Sequence, residues 1–210
     1  MNNILDDFNE EDSSIHTGNV FGKILTKPKA TLSFILNRKP PDLYVPQLLI
    51  AGSFINALGA EGLFYREFLL ILTTLIYTTA IGFAVYYIYA WAIKATGVWL
   101  GGNTTARKCR TVLAWSLVPS LINIVFIVIL YSIQRSDYFY YHQEFYQILT
   151  FGILILQFGL SIWSLVISTI GISIAQNFGY GRAFINILIP FIIFIILGFL
   201  FFMTFSALIS

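Results

Sequence analysis

Five stretches of this chain carry no charged residue: 43–60, 68–93, 111–134, 145–181 and 183–210. Charges return only between them, at Glu61, Arg66 and Glu67, then Lys94, Arg107, Lys108 and Arg110, then Arg135, Asp137 and Glu144, and last Arg182. A helix needs about 20 mostly apolar residues to cross a hydrocarbon core roughly 30 Å thick. Four of the runs exceed that length and the first comes near it. Soluble domains carry about 25% charged residues. This chain carries 10%, against 58% hydrophobic residues. The pattern predicts an all-α fold, a polytopic membrane helix bundle forming one domain over 43–210. Its five transmembrane helices are expected at about 43–58, 68–93, 111–133, 148–174 and 183–208.

Two different segments precede the bundle. Residues 1–19 hold Asp6, Asp7, Glu10, Glu11 and Asp12 among Asn and Ser. They bury too little apolar surface to offset ordering entropy, so a disordered acidic cytosolic tail is expected. A secretory leader would need a basic start with an apolar run behind it. Residues 20–42 form an amphipathic interfacial segment. Val20, Phe21, Ile24, Leu25, Leu32, Phe34, Ile35 and Leu36 alternate with Lys23, Lys27 and Lys29. Two N-terminal amphipathic helices, about 18–26 and 29–37, are expected at the membrane surface. Pro28 suits the first turn of the second. Lys39-Pro40-Pro41-Asp42 then breaks the chain.

Within the spans, small and polar residues mark helix contacts. Thr74, Thr78 and Gly82 form one close-packing stripe, and Ser161, Ser164, Ser168 and Gly171 another. Pro46, Gln47, Gly52, Ser53 and Asn56 should face other helices, because lipid satisfies no polar group. Pro119 lacks an N–H and predicts a helix kink in the third span. Tyr86, Tyr87, Tyr89, Trp91 and Trp99 read as an interfacial belt, and the aromatic stretch 135–147 as its counterpart on the other side. If the N-terminus is cytosolic, ten of the twelve Lys and Arg fall inside and two outside. The positive-inside rule therefore places the N-terminus in the cytosol and the C-terminus outside. In a prokaryote the membrane would be the plasma membrane.

Chemistry is sparse. Enzymes and pumps of the membrane place ionisable groups within their spans, and these span cores hold no Asp, Glu, Lys, Arg or His. No catalytic group, metal site or cofactor site is assigned, and nothing points to nucleic acid. His16 and His142 stand far apart in sequence. Cys109 is the one cysteine. Basic neighbours at Arg107, Lys108 and Arg110 would lower its pKa, although a free, inert thiol is the plainer reading. The stretch Gly101-Gly102-Asn103-Thr104-Thr105 before those three cations has two readings. Cations at a helix N-terminus oppose the helix dipole, which an anionic lipid phosphate there would compensate. Alternatively, Arg107, Lys108 and Arg110 simply fix topology among headgroups. Asn56, Asn123 and Gln157 lie deep in different spans. Converging on one hydrated cavity they would suit a transport path; in separate dry contacts they would suit a scaffold.

Several segments together resemble the Yip1-domain family, in its prokaryotic branch. They are Phe21-Gly22-Lys23-Ile24-Leu25-Thr26-Lys27-Pro28-Lys29-Ala30-Thr31-Leu32 and Gly101-Gly102 with the basic turn after it. Val112-Leu113-Ala114-Trp115-Ser116-Leu117-Val118-Pro119, Trp163, and Tyr180-Gly181-Arg182-Ala183-Phe184 complete the set. Ala114-Trp115 stands where the eukaryotic branch has Gly-Tyr. The resemblance covers about residues 20–209. It implies five spans behind a cytosolic N-terminal region; eukaryotic members act in early secretory trafficking and bind small GTPases. It supplies no catalytic residue to carry over. The function expected is a non-enzymatic scaffold or membrane-organising, trafficking-related factor. Its partners would be the lipid bilayer, including anionic lipid, other membrane proteins, or a second copy of itself. The alternative is a small transporter, channel or lipid-moving protein. The topology is testable with introduced cysteines. One at Asn9 is expected to label from the cytosolic side only, and one at Tyr140 from the outside only.

Overall fold

The structure, a computed structural model, describes residues 18–37, 44–58, 68–134 and 143–209, and these are α-helical throughout apart from turns. The acidic tail up to residue 17, the entry sequence 38–43, the 59–67 connection and the aromatic stretch 135–142 lie outside the described residues. The helices are α1 (Val20–Thr26), α2 (Pro28–Asn37), α3 (Val45–Leu58), α4 (Phe68–Trp99), α5 (Ala106–Ser116), α6 (Val118–Leu121), α7 (Asn123–Gln134), α8 (Gln143–Gln176) and α9 (Tyr180–Ile209). Four segments are long and apolar enough to cross a membrane: Leu69–Trp99, Ala106–Ile133, Gln143–Gln176 and Tyr180–Thr204. The run expected as the first span forms the shorter apolar helix α3, whose 14 residues extend about 21 Å.

Helix length decides how the bundle is built. With 32 residues in α4 and 34 in α8, these helices run to about 48 and 51 Å. A hydrocarbon core of roughly 30 Å leaves each with close to 20 Å to spare. Burial follows that division. In α4 the buried residues are Ala90, Ile93, Thr96 and Gly97, whereas Leu69, Leu70, Ile76, Tyr77 and Ile81 are exposed. In α8 burial is concentrated in Ile167 to Gln176, with Ile153 a lone case further back. In α9, Ala183, Asn186, Ile187 and Pro190 are buried, and every residue from Phe191 to Thr204 is exposed. The helices thus pack at one end and stand open at the other. The open segments are apolar on all sides, the character of helices that face lipid.

The packed end contains two hydrophobic clusters. One joins Val20, Ile24, Leu32 and Ile35 of the N-terminal helices to Val45, Leu48, Leu49, Ala114, Trp115, Val118 and Ile167. The other joins Leu36 to Ala90, Ile93, Cys109, Val112, Leu113, Ile172, Ala175, Ala183 and Ile187. The apolar stripe of residues 20–37 is therefore turned against the bundle, since Val20, Ile24, Leu32 and Ile35 have no exposed surface. Phe21 and Tyr44 stack near the fully buried Trp115, with ring centroids at 5.0 and 6.4 Å. The third crossing is in three pieces. Leu117 N–H donates to the Ala114 carbonyl and Ile122 N–H to the Pro119 carbonyl, so tight turns separate α5, α6 and α7. Pro119 lies in the short middle piece.

The small-residue stripes meet neighbours at their packed ends. A Cβ on Gly82 would overlap Ser53 of α3, and one on Gly171 would overlap Val112 and press on Leu32. Ser164 and Ser120 hydroxyls are 3.2 Å apart across α8 and α6. Ser161 is exposed. Of the first-span polar set, Gly52 and Ser53 are buried, but Pro46, Gln47 and Asn56 are exposed rather than turned to other helices. Gly171→Ala is expected to destabilise by about 1–3 kcal/mol through overpacking. Gly159→Ala, which meets open space, should be neutral or stabilise by up to about 1 kcal/mol through helix propensity. Unfolding of the two variants in a denaturing-detergent titration checks the contrast.

Candidate functional site

Among the described residues, the packed end is also where the cations gather. The described cations are Lys23, Lys27, Lys29, Lys94, Arg107, Lys108, Arg110 and Arg182. They lie on α1, at its junction with α2 (Lys27), on α2, at the last turns of α4, at the start of α5 and at the start of α9. Glu144, the one acidic residue among the described residues, begins α8. It is 32 residues, about 48 Å of helix, from the packed end of α8 at Gln176. Among the described residues no group of His, Cys, Asp or Glu assembles as a metal site would need.

Two helix-ending turns build this surface. α4 ends where Gly101 takes φ +86°, a left-handed conformation that favours glycine. Gly102 N–H donates to the Gly97 carbonyl at 2.9 Å and Gly101 N–H to the Val98 carbonyl at 3.1 Å, which is a Schellman motif. α8 ends in the same way with Asn177 at φ 57°. Phe178 N–H donates to the Ser173 carbonyl at 3.0 Å, and the Ser173 hydroxyl donates to the Phe178 carbonyl at 2.6 Å. The two turns lock together. A Cβ on Gly97 would overlap the Gln176 amide, and a Cβ on Gly102 would overlap both Gln176 and the Phe178 ring. The two glycines form a slot that this pair of side chains fills.

Behind the slot is a buried polar layer. Thr96 hydroxyl donates to Asn186 Oδ1 at 2.6 Å, and Gln176 Nε2 lies 3.5 Å from the Ile93 carbonyl. Gln176 Oε1, Asn186 Nδ2 and the Thr104 hydroxyl are buried without a partner. Neither Gln176 nor Asn186 stands out as a site residue in the sequence. The available signal was a lone Asn four residues ahead of Pro190 in an otherwise apolar stretch.

The three cations read beside a phosphate differ in their surroundings. Thr105 caps α5, its hydroxyl accepting from Lys108 N–H at 3.4 Å. Arg107 is exposed and Lys108 half-buried. Arg110 instead turns to α4, with its guanidinium carbon 4.4 Å from the centre of the Tyr87 ring, within cation–π range. Cys109 points the other way and is fully buried in the second apolar cluster. Asn56, Asn123 and Gln157 occupy three different settings. Asn56 is exposed, Gln157 is half-buried, and Asn123 Oδ1 is buried without a partner. On the flank, α8 and α9 leave an open groove of about 570 Å³ whose lining is almost wholly apolar, including Ile162, Leu165, Val166, Tyr180 and Phe184.

The family model described as Yip1 domain matches residues 22–202. No curated protein and no solved structure matches the chain.

Burial of Cys109 carries its own test. A maleimide is expected to leave Cys109 unlabelled in native membranes and to label it fully after denaturation in SDS. Labelling at the same rate in both states would place the thiol outside the core.

Proposed function

The chain belongs to the Yip1-domain family, and we propose that it serves as a non-enzymatic, multi-pass scaffold that organises the membrane around it, in a trafficking-related role. The observation that carries this reading is the coincidence of tight packing and positive charge at one end of the bundle. A rigid basic platform at a membrane surface suits the holding of anionic headgroups and of protein partners.

In this reading the packed end is cytosolic, because Lys and Arg concentrate on the inner side. The N-terminal helices pack at the end where α9 begins, so residue 20 and residue 204 fall on opposite sides. α3 with its flanking residues then supplies a fifth crossing. Arg107, Lys108 and Arg110 contact anionic lipid unequally: Arg107 and Lys108 face the headgroups, and Arg110 is held on Tyr87. The open apolar groove between α8 and α9 gives an acyl chain a place beside the platform.

The test is retention of phosphatidylglycerol by purified protein, read by native mass spectrometry. Each cation near an acidic surface contributes about 1 kcal/mol. Replacing Arg107 and Lys108 together by Gln is therefore expected to weaken retention roughly thirtyfold, at 1.4 kcal/mol per tenfold. Arg110→Gln alone should change it less than either single replacement of the other two. Equal retention by wild type and the double variant would remove the lipid-contact part of the proposal.

A further inference from the structure

The last membrane helix contains a break in its own hydrogen bonding, and a single side chain of α4 grips it on both sides. Pro190 lies inside α9. It has no N–H for the carbonyl of Asn186, four residues back, and its ring crowds that carbonyl. Within a membrane helix, groups freed by proline are satisfied from neighbouring helices. Here the Thr96 hydroxyl of α4 comes within 3.5 Å of the freed Asn186 carbonyl, and Tyr89 of α4 binds the carbonyl beside it. Its hydroxyl donates to the Ile187 carbonyl, next along from the deprived one, at 2.8 Å. Its ring meets Phe194, one turn beyond the proline, with centroids 6.0 Å apart.

Two turns further along α4, Thr96 holds Asn186. Its hydroxyl is 2.6 Å from Asn186 Oδ1 and 3.5 Å from the Asn186 carbonyl. One hydroxyl proton serves one acceptor at a time, and the shorter contact takes it. Thr96 therefore anchors the side chain at the base of the break, and Tyr89 bridges the break itself. Past Pro190 the helix is exposed at every residue to Thr204, so its direction depends on what happens at the proline.

We propose that Tyr89 is a clasp across the Pro190 break, fixing the angle at which the last span leaves the packed end. The clasp works only because the proline is there. Restoring a backbone donor at position 190 should make the Tyr89 hydroxyl dispensable, which separates this role from ordinary packing.

The experiment uses the full chain in lipid nanodiscs, with spin labels on Ile76→Cys of α4 and Phe202→Cys of α9, and Cys109→Ala to remove the native thiol. Tyr89→Phe keeps the ring and loses the hydroxyl. It is expected to broaden the distance distribution between the labels, and Pro190→Ala is expected to abolish that broadening. Without labels, Tyr89→Phe should shift the unfolding equilibrium about threefold, the usual effect of one interhelical hydrogen bond in a membrane protein. That shift should shrink in the Pro190→Ala background. An unchanged distribution in Tyr89→Phe, or an equal effect of Tyr89→Phe in both backgrounds by either measurement, would overturn the clasp.

Discussion

Lipid tails surround a leucine with much the same apolar medium as other leucines do, so inside a bilayer the hydrophobic effect does not draw helices together. It acts only where water competes. Close packing and hydrogen bonds must then hold the spans together. Ile93, Trp115, Ile167 and Ile172 are fully buried toward one end of the bundle, where Gly97, Gly102 and Gly171 bring helices into close approach. The stretches from Leu69 to Ile88 and from Phe191 to Met203 carry many exposed apolar residues, and lipid covers them. The N-terminal helices complete the arrangement by adding Val20, Ile24, Leu32 and Ile35 to the core.

A core at helix ends raises a second demand, because the last carbonyls of each helix lack intrahelical donors. The paired turns at Gly101 and Asn177 meet it by returning N–H groups to Gly97, Val98 and Ser173. Placing the turns face to face then lets one helix end fill the other, with Gln176 and Phe178 against Gly97 and Gly102. Gly101-Gly102, which precedes the basic turn, serves the packing of the chain itself. Its glycines are required for left-handed backbone at one position and for closeness at the other. Of the basic residues that follow, Arg107 is exposed and Lys108 half-buried, while Arg110 lies on the Tyr87 ring.

Much of the fold was legible from charge alone. The runs 68–93, 148–174 and 183–208 correspond to Phe68–Trp99, Gln143–Gln176 and Tyr180–Ile209. The expected bounds fall short because hydropathy locates the hydrocarbon and not the helix. Lys94, Arg107, Arg182 and Glu144 all sit in helical turns beyond it. The N-terminal helices were legible as amphipathic, but an apolar stripe does not say whether lipid or protein will cover it. Cys109 shows a different limit. Arg107, two residues away, lies about 200° around the helix, so sequence neighbours gave the thiol a basic setting that the helix takes away. Arg110 was likewise read with its neighbours, whereas its partner is Tyr87, 23 positions back and on another helix.

The buried polar layer was illegible because its meaning is pairwise. Asn186 alone in an apolar run is a cost; opposite Thr96 it is a contact between two helices that lipid would not otherwise hold together. Pro190 alone is a defect; opposite Tyr89 it is a position where α9 must register against α4. The apolar clusters at the packed end tolerate small shifts, since dispersion and burial have no direction. Hydrogen bonds at 2.6 and 2.8 Å do not. The polar pairs therefore set the rotation and depth of the last span, and the apolar core sets only how firmly it is held.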